Sequence, residues 1–257
     1  MKRSARSKMR VVLALAGAAA WPNAAVAIAE SSTVEARTIS GKAYDGEHLS
    51  STSWPEPLYS VSLTSEKGAG IDRLRFISTD RRGQAFFTQT VEFEGDTPRA
   101  YSFANTAARQ EEKLSVTPNE LIMEFTDGGK TRTATKARPN LFAVGPSIGR
   151  IIEKHLAELS AGKTINFDLV VVSRLTTYAV RITRGTGRTN DSFPQVKSGQ
   201  WIMLRTEPQS ALARAFAPTI FTIVDARTGR PRFVSAPIAS PEPGGGNLKR
   251  GTIHYED

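Results

Sequence analysis

Gly145-Pro-Ser-Ile-Gly-Arg-Ile-Ile-Glu-Lys-His-Leu-Ala-Glu-Leu-Ser-Ala-Gly-Lys163, followed by Thr164-Ile-Asn-Phe-Asp-Leu-Val-Val-Val172, decides how this chain is read. Ile148, Ile151, Ile152, Leu156 and Leu159 recur at helical spacing, and Arg150, Glu153, Lys154 and Glu158 fill the rest of the circumference. Pro146 suits a first helical position, where its missing N–H has no partner to lose. Gly162 suits the stop, because a left-handed terminal residue has no steric cost when it is Gly. The pattern predicts one amphipathic helix over about 146–161, a rod of about 24 Å at 1.5 Å per residue. The strand after it alternates: Ile165, Phe167, Leu169 and Val171 against Asn166 and Asp168.

Short alternating segments flank this unit. Phe87, Gln89, Val91 and Phe93 oppose Thr88, Thr90, Glu92 and Glu94. Leu121, Met123 and Phe125 mark the buried face of a strand that ends at Asp127-Gly128-Gly129, a hairpin signal. Tyr178, Val180 and Ile182 are expected inward, with Thr177, Arg181 and Thr183 outward. Trp201-Ile202-Met203-Leu204 is apolar on both faces, as a central strand requires. Roughly a dozen strands with turns every 8–12 residues predict an α+β, mostly antiparallel domain. Its sheet is expected to form a curved sheet or half-barrel packed around the long helix. Residues 30–257 are read as one domain, with two sheet subunits divided near the helix as the alternative.

The first 29 residues read as a secretory signal peptide. Lys2, Arg3, Arg6, Lys8 and Arg10 form a basic start, Val11–Ala20 an apolar run, and Ala25-Val26-Ala27 or Ala27-Ile28-Ala29 a cleavage site. The run is broken by Trp21-Pro22-Asn23 and is shorter than the ~20 residues that span a bilayer. Removing its five cations from the formal charge of +9 leaves +4. The remaining Lys and Arg are scattered, which argues against a nucleic-acid groove. The chain has no cysteine, so neither a disulfide framework nor a lipidated cysteine is available. A periplasmic protein held together by its own core is expected, with no transmembrane segment in the mature chain.

Motifs for chemistry are sparse. His48, His155 and His254 are the three histidines, without metal-ligand spacing, so no metal site and no cofactor is expected. Gly145-Pro-Ser-Ile-Gly149 has the Gly-x-Ser-x-Gly spacing of a nucleophile elbow. Pro at its second position and the lack of alternating βα units argue for a helix start capped by Ser147 or Gly145 instead. Ser147 and His155 would lie about 12 Å apart along one intact helix, too far for a nucleophile and its base. The acid pairs Glu92/Glu94 and Glu111/Glu112 are read as solvated.

The run from Gly145 to His155, the run Ile165–Tyr178, and the tail Ile223–Tyr255 resemble a family of uncharacterised exported proteobacterial proteins. That family has no assigned activity, so the resemblance implies no catalytic residues. The inferred architecture is also similar, at fold level, to periplasmic lipoprotein-carrier half-barrels, in which a curved sheet wraps a helix and leaves an apolar cavity. Two readings follow. The first is a non-enzymatic binding or carrier module with a groove for a lipid, acyl chain or extended polypeptide. His155, Arg174 and Tyr178 would be its orienting groups and Trp201 an apolar wall. The second is an envelope protein that docks a protein partner through exposed strand edges. A periplasmic hydrolase is the least favoured.

Overall fold

The computed structural model describes residues 35–46, 54–68, 71–185, 193–216, 219–238 and 251–256. The signal-peptide segment and His48 lie outside them. All described residues fall in one compact unit, Thr33–Asp257.

Alternation of small polar and apolar residues drives an N-terminal meander of eight strands: β1 (Glu35–Asp45), β2 (Tyr59–Gly68), β3 (Ile71–Thr79), β4 (Ala85–Glu94), β5 (Thr97–Asn105), β6 (Gln110–Val116), β7 (Glu120–Asp127) and β8 (Lys130–Ala137). The β7–β8 turn has the expected chemistry: Gly128 and Gly129 both adopt positive φ, 54° and 83°, between the paired Asp127 and Lys130. The chain then forms a short strand, β9 (Phe142–Val144), and helices α1 (Ile148–Lys154) and α2 (Leu156–Ser160). A second run of strands follows: β10 (Ile165–Val171), β11 (Thr176–Arg184), β12 (Trp201–Pro208), β13 (Ile220–Asp225), β14 (Pro231–Ala236) and β15 (Gly251–Tyr255). Helices α3 (Pro194–Lys197) and α4 (Ala211–Phe216) flank β12.

All fifteen strands belong to one curved, unclosed sheet, ordered β8-β7-β6-β5-β4-β3-β2-β1-β15-β14-β13-β12-β11-β10-β9. The central join is β1 with β15, Gly41 opposite Tyr255 through Asp45 opposite Gly251. Gly41 is needed there, because a Cβ would come within 2.4 Å of the His254 carbonyl oxygen. Every pairing is antiparallel except β9 with β10, which run parallel and are linked through α1 and α2. That crossover is the one βαβ unit among the described residues.

Register gives the sheet one continuous inner face. Leu74, Val91, Tyr101, Leu114 and Met123 are consecutive cross-strand partners across β3–β7, with Val61 on the same face of β2, and Ile165 opposite Ile182, with Leu204 and Val224 in the same phase, continue that face in the second half. β9, α1 and α2 form an internal plug on this face. Phe142 and Val144 pack with Val91, Phe93, Tyr101 and Leu121, while Ile151, Ile152 and Leu159 pack with Phe167, Ile182 and Leu204. Arg150 anchors the plug to the meander. Its guanidinium lies 3.4 Å from Asp72 and 5.2 Å from the centre of the Phe93 ring.

The single helix expected over 146–161 is not formed. A 3-10 turn (Gly145–Ser147) leads into α1, and α1 and α2 are separated at His155, whose φ and ψ are −106° and 18°. Helical backbone bonds still run through the break, His155 N–H to Ile151 O and Leu159 N–H to His155 O, and the His155 ring pairs with the Glu158 carboxylate at 2.8 Å. One non-helical residue hardly disturbs side-chain phase, so Ile151, Ile152 and Leu159 stay on one buried face. The stop behaves as read: Gly162 has φ 82°, with Lys163 N–H donating to Glu158 O and Gly162 N–H to Leu159 O.

Candidate functional site

The inner face is not covered uniformly. Under the plug, Val91 and Leu114 are fully buried. Nearer the β4–β5 chain ends, Leu63, Phe87 and Phe103 keep the same inward register but are only half-buried. They sit between the plug-facing core and a second core around Tyr59, Phe76 and Phe86. Phe87 meets Phe103 edge-on at 5.0 Å and Phe76 at 5.9 Å between ring centres. Leu63, Phe87 and Phe103 thus form a half-buried, mostly aromatic patch on the inner face.

Polar groups line up beside it. Gln89, Phe103, Glu112 and Phe125 are consecutive cross-strand partners on β4, β5, β6 and β7. The Gln89 amide donates to Tyr101 Oη at 3.1 Å, and Tyr101 donates to Glu112 Oε2 at 3.2 Å. Ser173, in the turn after β10, stands beside Glu112 and favours its charged form. Desolvation holds the Glu112 carboxyl above its ordinary value despite these bonds. Burial pushes the Tyr101 phenol well up, with the neighbouring Glu112 charge adding to it. Gly145 closes the base of this network. Its φ is +50°, and a Cβ there would lie 2.9 Å from Tyr101 and 3.3 Å from Gln89.

The expectation that Glu112 is solvated is therefore corrected. Glu111, its chain neighbour, does point outward and is exposed. Alternation alone distinguishes the two, since Glu112 shares the phase of the buried Leu114.

The four expected site residues do not converge. Arg174 is exposed and follows Ser173, so it stands at the rim of the polar network. Tyr178 keeps the phase of Val180 and Ile182, yet is 45 % exposed, because it sits beyond the covered end of β11. His155 lies at the helix break, paired with Glu158. Trp201 is on the opposite, outer face: Ile202 and Leu204 pack on the plug, whereas Trp201 and Met203 pack with Phe193, Ile223 and Phe233. Val180 pairs with Pro208, so Tyr178 and Trp201 are about 30 Å apart along the strands, at 3.3 Å per residue.

Ser147 is fully buried and its Oγ accepts the Val144 N–H at 2.8 Å. It bonds back to the residue before the 3-10 turn and makes no side-chain cap to α1, so the helix-cap role expected for it is not the one it plays. Around Trp201 the outer face carries an open depression of about 630 Å³, lined by Gln195, Gln200, Asp225, Arg227 and Arg232 among others. None of the five was singled out by sequence, because they come from α3, the turn before β12 and the β13–β14 hairpin, which only the folded sheet brings together.

The fold and these sites define a class: an open, rolled antiparallel β-sheet around an internal plug. No family model matches the chain, and no curated protein is significantly similar to it. Among solved structures, it is similar to the beta-barrel-like protein of the domain of unknown function DUF1849 from Brucella abortus, at 9 % identity and a TM-score of 0.39, covering 86 % of this chain and 95 % of that one. No helix among the described residues is long and apolar enough to cross a membrane.

Proposed function

We propose that this protein is a non-enzymatic, exported binding module of the periplasm that takes an acyl chain at the aromatic patch on the inner face of its rolled sheet. The observation that carries the reading is the half-burial of Leu63, Phe87 and Phe103 in the same inward register as fully buried neighbours. An apolar occupant would complete that cover. An extended polypeptide suits the patch less well. The strands there are hydrogen-bonded to neighbours on both sides, so a bound backbone would leave its own polar groups unpaired. An acyl chain needs only C–H surface. Gln89, Tyr101 and Glu112 are the few polar groups beside it, as small-ligand sites commonly have. The exposed Arg174 beside this network would meet an anionic headgroup.

The test is mass spectrometry of a solvent extract of the protein purified gently from its native envelope. An acyl species at stoichiometric yield, lost in a Phe103→Arg variant that retains its cooperative unfolding, supports the reading. A wild-type protein that yields none and takes up no added fatty acid overturns it.

The partner-docking reading has one specific observation in its favour. β8 is paired only with β7, leaving an eight-residue edge that carries Lys130, Arg132 and Lys136 and no acid. Basic edges also resist strand addition, so this reading ranks second.

A further inference from the structure

We infer that the outer-face depression at Trp201 is a second binding site, for a saccharide carrying a carboxylate. The depression is built from turns. Gln195 comes from α3, Gln200 from the turn before β12 and Trp201 from its first position, and Asp225 and Arg227 from the β13–β14 turn, with Arg232 at the start of β14. Its volume, about 630 Å³, lies within the range of small-ligand sites, about 300–1,000 Å³.

The chemistry of the lining selects the ligand class. Most of the lining is polar, which does not suit an acyl chain. Trp201 supplies one flat aromatic wall, held in place by Phe193 at 6.1 Å and Phe233 at 5.7 Å between ring centres. An indole offers a broad apolar face with a single N–H, which matches a sugar ring: apolar C–H groups on one face and hydroxyls at the edge. Among the described residues, the side chains of Gln195, Gln200 and Arg227 and the Trp201 indole N–H have no protein hydrogen-bond partner, although all four line the same hollow. Two amides, each both donor and acceptor, are suited to hydroxyls that are also both.

Charge adds the carboxylate. Asp225 is already engaged. It accepts bonds from the backbone N–H groups of Arg227 and Thr228 and from the Thr228 hydroxyl, and it lies 3.8 Å from Arg232. Arg232 is thus offset by Asp225, and its guanidinium stands 6.0 Å from the centre of the Trp201 ring. The Arg227 guanidinium remains to face an anion, and its planar fork matches a carboxylate.

This site is independent of the acyl-chain reading, because the sheet lies between them and their occupants share no chemistry. The test uses the full chain and the indole N–H signals of its three tryptophans, with the Trp201 signal assigned by its loss in Trp201→Phe. Digalacturonate is titrated, with neutral N,N′-diacetylchitobiose (chitobiose below) as the comparison. The inference expects a saturable shift of the Trp201 signal with digalacturonate, with a dissociation constant of about 1–10 mM, typical of a shallow polar site. Chitobiose is expected to bind about fivefold or more weakly, as loss of one charge-assisted pair implies. Arg227→Gln should bring digalacturonate to the chitobiose level, and Gln200→Ala should weaken both sugars. Both residues are exposed, so neither change threatens folding. A Trp201 signal that does not respond to digalacturonate, or that responds equally in Arg227→Gln, overturns the inference.

Discussion

Gly145 combines two constraints that no other residue type meets. Its φ of +50° is left-handed, and its missing Cβ makes room for the Tyr101 ring. Gly145→Ala should therefore destabilise the protein by about 1–3 kcal/mol through backbone strain, plus whatever the displaced ring costs. A urea titration of both proteins measures it, and an unchanged midpoint would show that Gly145 is not held as described. Glu112 gives the second residue-scale prediction. Its folded-state pKa is raised, mainly by desolvation. The folded protein therefore keeps this proton after the unfolded chain has lost it. The stability it contributes is complete below the ordinary carboxyl value of about 4.3 and is lost as pH rises through the raised one. Glu112→Gln should flatten that part of the profile, so the difference in urea midpoint between variant and wild type should shift in the variant's favour from pH 4 to pH 7. A constant difference would contradict the assigned environment. The phase of Glu112 was legible beside Leu114. Its burial was not, because the cover comes from Ser173, 61 positions later in the chain.

The plug is where element-scale reading succeeded and failed together. Its apolar positions, its Gly162 stop and its burial against strands were all legible, since each depends on local spacing or local backbone freedom. The break at His155 was not, because helical periodicity survives one non-helical residue. The parallel pairing of β9 with β10 was not legible either: three residues carry no periodicity, and the pairing exists only because the helices return the chain. Leu159 is fully buried in α2, whereas Leu156 is half-buried. Leu159→Ala should cost about 2–5 kcal/mol, by lost transfer energy and a residual cavity. Leu156→Ala should cost clearly less. Equal costs, read from thermal or urea unfolding, would mean that α2 presents a different face to β10 and β11.

At the scale of the molecule, the sheet joins through β1 and β15, elements from opposite ends of the described chain. That closure is a long-range pairing that no local pattern reports, and it lets one sheet span both halves. Removing residues 251–257 strips β15 from between β1 and β14, exposing Ala43 and Val234. The shortened chain should unfold without any cooperative transition, as followed by circular dichroism and near-ultraviolet signal together. Two independent transitions would instead show that the halves fold alone. The same long-range order explains why the expected site residues scattered. His155, Arg174, Tyr178 and Trp201 stand on different elements, and the sheet sends Trp201 to its other face.

The most direct measurement is a fluorescence titration of the full chain with dansyl-labelled fatty acids of increasing length. If the patch at Leu63, Phe87 and Phe103 takes an acyl chain, each added methylene contributes about 0.8 kcal/mol, so Kd should tighten about three- to fourfold per carbon until the patch is covered. Phe103→Arg should abolish that dependence, and Arg174→Gln should weaken every length by a constant factor. Affinity that does not vary with chain length, or that survives unchanged in Phe103→Arg, would contradict the account.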